Sequence, residues 1–494
     1  MRILFVTSNG TGLGHLTRSM AIARRLDATE PLFITFSAAA PVVHDLGFPV
    51  EYIASYDRPG AGNDITWTRR ARDRLLQAVG EIKPEVVVFD GTHPYERLLP
   101  ALRSTGAKLV WCRRAMWRRD SDTAPLWRSH LFDAVLEPGE WAAAADSGPT
   151  VARRSEARTF DPIVLLDRSE LHGREQAERE LGLKPGRLNV LVQLGQGEGV
   201  GDASRRCLRH LSGREGVQVA APPSTLAGAG DVPDDVVRLA ATYPISRHLA
   251  AFDVAVAAAG YNAFHELIQL GPPTLFVPMP RQTDDQAARA RYAQEAGVAC
   301  ACAGPTGPGI EDALDELLDD SPRAELSGRL EASRGRNGAA GAAEWLEELA
   351  TGAARSVEPR GAGERRTTWR DTARRWWIFA SSTPRTALRI SRQLATRPRL
   401  RVVVLALGLD GERGEDAVAE RLDGLDEDPE RVLVVTDRLD FGPLLRRGVG
   451  LEHVPAEGER QPHLAGVPYE DFRRRRLELI MAGRPKRRRT VSVA

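Results

Sequence analysis

Tyr243–Arg291 reads YPISRHLAAFDVAVAAAGYNAFHELIQLGPPTLFVPMPRQTDDQAARAR, and this stretch decides the fold. Two apolar runs, Asp253–Ala257 and Thr274–Val277, have the length of buried strands. Each ends where glycine and polar residues converge, which is the layout of a ligand site at the carboxyl edge of a parallel sheet. Between them, Ala259-Gly260-Tyr261-Asn262 leads into a helix expected from about Ala263 that carries Glu266. A glycine ahead of a helix N-terminus lets backbone N–H groups approach a phosphate, and the helix dipole favours negative charge there. Gly260 and Asn262 are therefore candidate phosphate contacts, and Glu266, one turn in, a candidate acceptor for a ribose hydroxyl. After the second run Pro278-Met279-Pro280 stiffens the exit. Thr283-Asp284-Asp285-Gln286 then supplies short polar side chains before another helix, with Asp285 and Gln286 suited to a sugar's hydroxyls.

Working outward, the chain begins with a β-rich run, Arg2–Thr7, that feeds Ser8-Asn9-Gly10-Thr11-Gly12-Leu13-Gly14-His15 and then a helix with apolar residues at Leu16, Met20, Ala23 and Leu26. Strand, glycine-rich turn and helix make the first unit of a Rossmann-like half. A G-x-G-x-G turn equally suits a dinucleotide. His15, and the lack of an acidic residue closing a second strand at the usual distance, count against NAD. Asn189–Leu194 repeats the pattern and feeds Gly195-Gln196-Gly197-Glu198-Gly199, where Gly195 and Gly197 are candidate ligand-side glycines of a second such loop. Two such loops imply an α/β chain with two Rossmann-like domains facing across a cleft. Strands at Leu32–Phe36, Val86–Phe89 and Leu109–Cys112 complete the first half, with a helical stretch at Thr68–Val79. They deliver Asp90, a candidate general base, and Arg113 and Arg114, candidate anion contacts. The joint is expected within residues 150–187, through a strand-like Ile163–Leu166 and a charged helix, Glu170–Leu181. This gives an N-terminal domain over 1–160 and a second over 161–350.

The organising stretch resembles the donor-binding signature of nucleotide-sugar glycosyltransferases of the GT-B fold, and family 28 in particular. That family includes the enzyme that adds N-acetylglucosamine to the lipid-linked muramoyl-pentapeptide of peptidoglycan. The resemblance rests on G-x-N-x-x-x-E (Gly260, Asn262, Glu266), the P-x-P exit and D-D-Q-x-x-R-A, and on the N-terminal G-x-G-x-G-H. It implies an inverting transfer of a hexose or N-acetylhexosamine from a UDP-sugar to a hydroxyl acceptor, lipid-linked or a small metabolite. It also implies His15 as base with Asp90 as second candidate, Gly12, Gly14 and Arg113 on the acceptor side, and Tyr243 and Ile245 at the uracil. A terminal helix at Ala342–Leu349 would cross back to brace the first domain. No cofactor and no metal are implied, because helix N-termini and glycine amides can meet the leaving diphosphate. Two alternatives stay open on the residues: a UDP-sugar 2-epimerase, and a non-catalytic protein that binds a nucleotide-sugar.

With 494 residues and 42% hydrophobic content the chain has room for two or three domains. A net charge of +1 argues against a general nucleic-acid binder, so no specific nucleic-acid partner is expected. Four scattered cysteines, Cys112, Cys207, Cys300 and Cys302, make neither a disulfide framework nor a zinc site and fit a reducing cytoplasm. Residues 351–400 read as a linker and a basic amphipathic helix: eleven arginines lie between Arg360 and Arg399, and Trp369, Trp376 and Trp377 share a stripe. Such a helix suits peripheral contact with the inner face of the plasma membrane, equally packing on the enzyme body. Residues 401–494 alternate as β-α-β-α-β, a small C-terminal α/β domain, with Thr436-Asp437 at a strand end and a basic tail at Arg473–Arg476 and Lys486–Arg489 expected to be solvated. Asp426-Glu427-Asp428 lacks the strand that a metal-binding D-x-D needs.

Overall fold

The computed structural model describes all residues except 9–12, 62–63, 196–198, 227–228, 354–399, 410, 461–463, 465, 483, 485–487 and 494. The tryptophan stripe of Trp369, Trp376 and Trp377 and the glycines Gly12 and Gly197 lie outside the described residues. Branched and aromatic runs bounded by glycine and polar turns form three parallel sheets. The first has seven strands: β1 (Arg2–Thr7), β2 (Glu30–Thr35), β3 (Val50–Tyr52), β4 (Val86–Asp90), β5 (Lys108–Cys112), β6 (Ala134–Glu137) and β7 (Ala157–Thr159). Their order is β3-β2-β1-β4-β5-β6-β7. The second has six: β8 (Leu188–Gln193), β9 (Val217–Ala221), β10 (Val237–Arg238), β11 (Val254–Ala258), β12 (Thr274–Val277) and β13 (Cys300–Ala301), in the order β10-β9-β8-β11-β12-β13. In both, the first strand lies inside the sheet and the order reverses beside it, so the loops at the carboxyl edges diverge and open a crevice. Thr7 pairs with Asp90 and Asp90 with Cys112 at that edge of the first sheet. Ala258 pairs with Val277 in the second.

The helices that carry the argument are α1 (Gly14–Ala23), α2 (Asp64–Ile82), α3 (Arg174–Leu181), α4 (Tyr261–Leu270), α5 (Gln286–Glu295), α6 (Ala339–Thr351), α7 (Gly411–Asp423) and α8 (Tyr469–Met481). As the resemblance implied, α6 crosses back: Glu347 Oε1 accepts from Asp27 N at 2.9 Å, Ala28 N at 2.7 Å and Thr29 Oγ1 at 3.0 Å. The chain thus passes between the two halves twice, and the passes are joined. Asn337 donates to Val164 O at 3.0 Å and Asp167 Oδ1 at 2.8 Å, and Gly338 N donates to Pro162 O at 3.0 Å. Ile163–Leu166, expected as a strand, pairs with none. Its buried backbone is met instead by Asn337 and by the Tyr261 hydroxyl, 3.0 Å from Ile163 N, which is why it reads as apolar without being sheet.

The third sheet holds β14 (Val402–Ala406), β15 (Val432–Thr436), β16 (Gly450–His453) and β17 (Arg489–Ser492), ordered β16-β15-β14-β17. It sits against the β3 edge of the first sheet through a buried charge network. Arg74 from α2 donates to Glu452 Oε2 at 2.7 Å and Glu51 Oε1 at 2.8 Å, while Arg476 from α8 donates to Glu51 Oε1 at 3.1 Å and Glu81 Oε2 at 2.8 Å. Of the basic tail, Arg476 is therefore buried and not solvated, whereas Arg474, Arg475 and Arg489 are exposed and residues 486–487 lie outside the described residues. Phe472, Arg476 and Ile480 recur on one buried face of α8, and Arg489 opens β17. Breaking one member of such a network leaves an uncompensated buried charge, which costs about 3–5 kcal/mol.

Gly450 faces this junction, and a Cβ there would lie 2.5 Å from Pro59 O. Gly450→Ala is expected to destabilise the protein by about 1–3 kcal/mol through overpacking. Denaturant titration measures this, and limited proteolysis should show earlier cleavage in the C-terminal unit.

Candidate functional site

The carboxyl ends of β1 and β4 bring together two residues that the sequence separates widely. α1 starts at Gly14 and places His15 in its first turn, where Nδ1 lies 2.6 Å from Asp90 Oδ1 at the end of β4. Asp90 is fully buried, and Arg18, one turn further along α1, donates to the same Oδ1 at 2.7 Å. Burial alone would raise the Asp90 pKa, but Arg18 and His15 outweigh it and hold the carboxyl below its ordinary value. A carboxylate at that oxygen fixes the His15 proton on Nδ1 and leaves the Nε2 lone pair available. Burial also lowers the His15 pKa against the pull of Asp90, so the ring is neutral near pH 7. Its side chain keeps 16% exposure, whereas Asp90 has none. Asp90 is therefore corrected from an independent base to the residue that orients His15.

The second sheet supplies the facing wall. Gly260 caps α4 with no side-chain hydrogen bond, so the first-turn amides stay open to an anion. Asn262 Nδ2 donates to Gly14 O at 3.2 Å, so the N-terminal ends of α4 and α1 touch. Asn262 Oδ1 is buried with no partner among the described residues. One turn on, Glu266 is half-buried and has no hydrogen-bond or ion-pair partner among the described residues. Burial raises its pKa to about 7. A desolvated carboxyl without a partner is costly unless a ligand group satisfies it. Tyr243, before a cis bond to Pro244, reaches across to Thr17 with its hydroxyl at 2.9 Å, and Ile245 is half-buried beside it. The Tyr243 side chain thus bridges the halves.

Between these walls runs a chain of buried charges that the sequence did not signal as a unit. Asp284 lies 3.2 Å from Arg114 and 3.1 Å from Arg289, and Arg289 reaches Glu140 at 2.9 Å. Glu140 in turn meets His265 Nε2 at 3.0 Å. Burial would raise the Asp284 and Glu140 carboxyls, but Arg289 with Arg114 holds the first down and Arg289 with His265 the second. Arg18 also lies over the Tyr261 ring at 5.3 Å, a contact between α1 and α4. Arg114 keeps some exposure and lies near enough to His15 to lower its pKa, a position suited to an anion.

Several expected contacts fall elsewhere. Arg113 is fully buried and paired with Glu156 and, at 3.4 Å, with Glu137, so it makes no acceptor-side contact. Its neighbour Arg114, also past the end of β5, pairs instead with Asp284 from the second half. Gln286 is turned to the protein, accepting from Met279 N at 3.0 Å and donating to Asp284 Oδ2 at 3.2 Å. Asp285 caps α5, with Oδ1 accepting from Ala288 N at 3.0 Å. Both are thus corrected from free sugar contacts to supports of the α5 N-terminus. Gly14 lies at the α1 start, and Gly195 opens the loop after β8 with a φ of +75°, the left-handed region that favours glycine. Of the segment Ala115–Arg128, Met116 and Trp117 are buried against the second half, while Trp127 is 60% exposed.

No protein-family profile matches the chain. A curated relative from a Nocardioides species, named UDP-N-acetylglucosamine--N-acetylmuramyl-(pentapeptide) pyrophosphoryl-undecaprenol N-acetylglucosamine transferase, is 27% identical over 323 residues, which are 60% of this chain and 83% of the relative. Its namesake from Desulforudis audaxviator is 25% identical over 368 residues, covering 68% of this chain and 94% of that one. Among solved structures, the spinosyn forosaminyltransferase SpnP shares the fold with a TM-score of 0.51 at 16% identity, covering 71% of this chain and 99% of that one. Across its two facing sheets the chain has the fold of the GT-B glycosyltransferases, and its sequence is similar to that of UDP-N-acetylglucosamine transferases.

Proposed function

We propose that the protein is an inverting glycosyltransferase that moves a hexose or N-acetylhexosamine from a UDP-sugar to a hydroxyl acceptor. The observation that carries this reading is the His15–Asp90 pair, set directly against the open N-terminus of α4 with the unpaired Glu266 one turn behind it. In this reading His15 Nε2 takes the acceptor's proton as the acceptor oxygen bonds to the anomeric carbon from the face opposite the diphosphate. The bond from that carbon to the diphosphate oxygen breaks, and its electron pair leaves with UDP. The amides of Asn262 and Ala263, with Arg114 nearby, meet the charge that develops on the leaving group. Glu266 accepts from the ribose hydroxyls. The transfer uses no divalent cation at the diphosphate, so turnover should not respond to added Mg2+ or Mn2+.

A panel of UDP-, dTDP- and GDP-sugars tests the donor class. UDP-sugars at a hundred times their dissociation constant should stabilise the protein by about 2.7 kcal/mol, read as a rise in melting temperature. Equal or greater stabilisation by the other two classes would overturn the donor assignment. UDP release that needs an acceptor separates transfer from a 2-epimerase, which inverts C2 without one.

The arginine- and tryptophan-rich residues 364–400 support a peripheral site of action at the cytoplasmic face of the plasma membrane. Among the described residues no helix is long and apolar enough to cross a membrane. Deleting residues 364–400 is expected to release the protein from vesicles rich in anionic lipid, in a sedimentation assay, and to leave its binding to UDP unchanged.

A further inference from the structure

Where the chain finishes its first crossing, three potential metal ligands converge from three separate segments. His172 precedes α3, Glu180 lies in the last turn of α3, and His248 sits in the 3-10 helix Ile245–Ala251 that follows the cis Tyr243–Pro244 bond. His172 Nδ1 is 2.9 Å and His248 Nε2 2.8 Å from the same oxygen, Glu180 Oε2. Their ligand atoms all lie within 4.8 Å of one another. The two rings stand edge to face with centroids 5.0 Å apart, an arrangement that points two nitrogens at one place without stacking the rings. Exposure rises from His248 (9%) through His172 (23%) to Glu180 (42%), so the cluster has a rigid floor and an open side.

We propose that His172, Glu180 and His248 form a binding site for a divalent transition metal, zinc by ligand type. Two imidazoles and a carboxylate are a donor set that zinc takes in three-ligand sites, with water in the fourth position on the open side. Small shifts suffice to turn the present contacts into coordination, because the nitrogens already lie around one oxygen and need only part to admit the ion. The bound ion ties the end of the crossing to α3 and to the segment leaving Pro244. His172 N already donates to Arg247 O at 2.9 Å across the same seam. The site is built from elements outside the His15–Asp90 pair and involves none of its residues. It stands independently of the proposed sugar donor.

The test uses the full-length protein after chelation and dialysis, titrated with zinc chloride by calorimetry and followed by thermal melting. One equivalent should bind and raise the melting temperature. The double variant His172→Gln/His248→Gln should lose affinity by more than about a hundredfold, beyond the loss usual for removing an outer-shell partner alone. Glu180→Gln keeps the side-chain shape, so it reports on the charge if the double variant folds poorly, and it too should weaken binding. Cobalt(II) in place of zinc should give the visible bands of a four-coordinate site in the wild type and not in either variant. Failure of the wild type to bind zinc overturns the proposal. So does zinc binding of unchanged affinity and stoichiometry in both variants, which would place the ion elsewhere, for instance at Cys300 and Cys302. None of these readouts involves a nucleotide-sugar, so the outcome is separable from the transferase reading.

Discussion

His15→Ala is expected to lower turnover by about a hundred- to ten-thousand-fold, the range that a positioned general base contributes, while UDP affinity stays within about twofold. The separation follows from geometry: the imidazole touches Asp90 and Arg18 on its own half, whereas the candidate nucleotide contacts lie on α4. UDP release and UDP binding, measured apart, check it. Loss of binding in parallel with turnover would mean that His15 holds the ligand and does not take its proton. Asp90→Asn should reproduce most of the loss, because an amide no longer fixes the proton on Nδ1. Removing the anion also favours the neutral ring, so the acidic limb of the kcat/KM profile should move to lower pH. A merely structural role for Asp90 would leave that limb in place. Since Arg18 loses its counter-charge in Asp90→Asn, the thermal stability of this variant is the necessary control.

The second large effect is at Glu266, where function and stability should move in opposite directions. Its folded-state pKa of about 7 lies above the ordinary 4.5 because burial disfavours the anion. Below pH 4.5 the group is protonated whether the chain is folded or not, and it costs nothing. As the pH rises from there to about 7 the unfolded chain ionises first, and stability falls; above pH 7 the full cost is present. For a half-buried group that cost is about 2 kcal/mol. Glu266→Gln should therefore be more stable than the wild type at pH 8 and no more stable at pH 4, by denaturant titration at each. The same change should weaken UDP binding by about tenfold and Glu266→Ala by about a hundredfold, since a hydrogen bond to a charged group contributes about 1.5–3 kcal/mol. Ribose hydroxyls bind the ionised form, so wild-type affinity should rise as the pH passes 7, and the Gln variant should not follow. If Glu266→Gln is destabilised at pH 8, the carboxyl is satisfied within the protein and the ribose assignment falls.

The site was legible in the sequence wherever its parts are local. Gly260, Asn262 and Glu266 occupy one loop and one helical turn, so their spacing alone places them at a strand's carboxyl end ahead of an open helix. The parallel sheets were legible for the same reason, because each buried strand is a short apolar run with its own turn. What the sequence withheld depends on which face a residue takes and on what meets it from far along the chain. Arg113 and Arg114 are adjacent just past the end of β5, and only their partners from far along the chain separate them, Glu156 and Glu137 for the first and Asp284 for the second. Asp90 reads as a polar strand end until α1 returns with Arg18 and His15. Gln286 fits a sugar-binding pattern until Met279 N claims it. Arg476 stands in a run of four arginines that composition marks as surface, yet its partners Glu51 and Glu81 come from the opposite end of the chain.

The doubled, stitched passage between the halves has a mechanical consequence. Two covalent connections at adjacent points, laced by Asn337, leave a pair of bodies little freedom to slide or twist, and mainly the freedom to swing about the line through both points. Opening for a substrate then means a rotation whose pivot lies at 161–173 and 334–338. Because the third sheet is tied to the first by Arg74 and Arg476, it should travel with His15 as ballast on that side, and whatever it holds keeps a constant bearing to the base through every cycle.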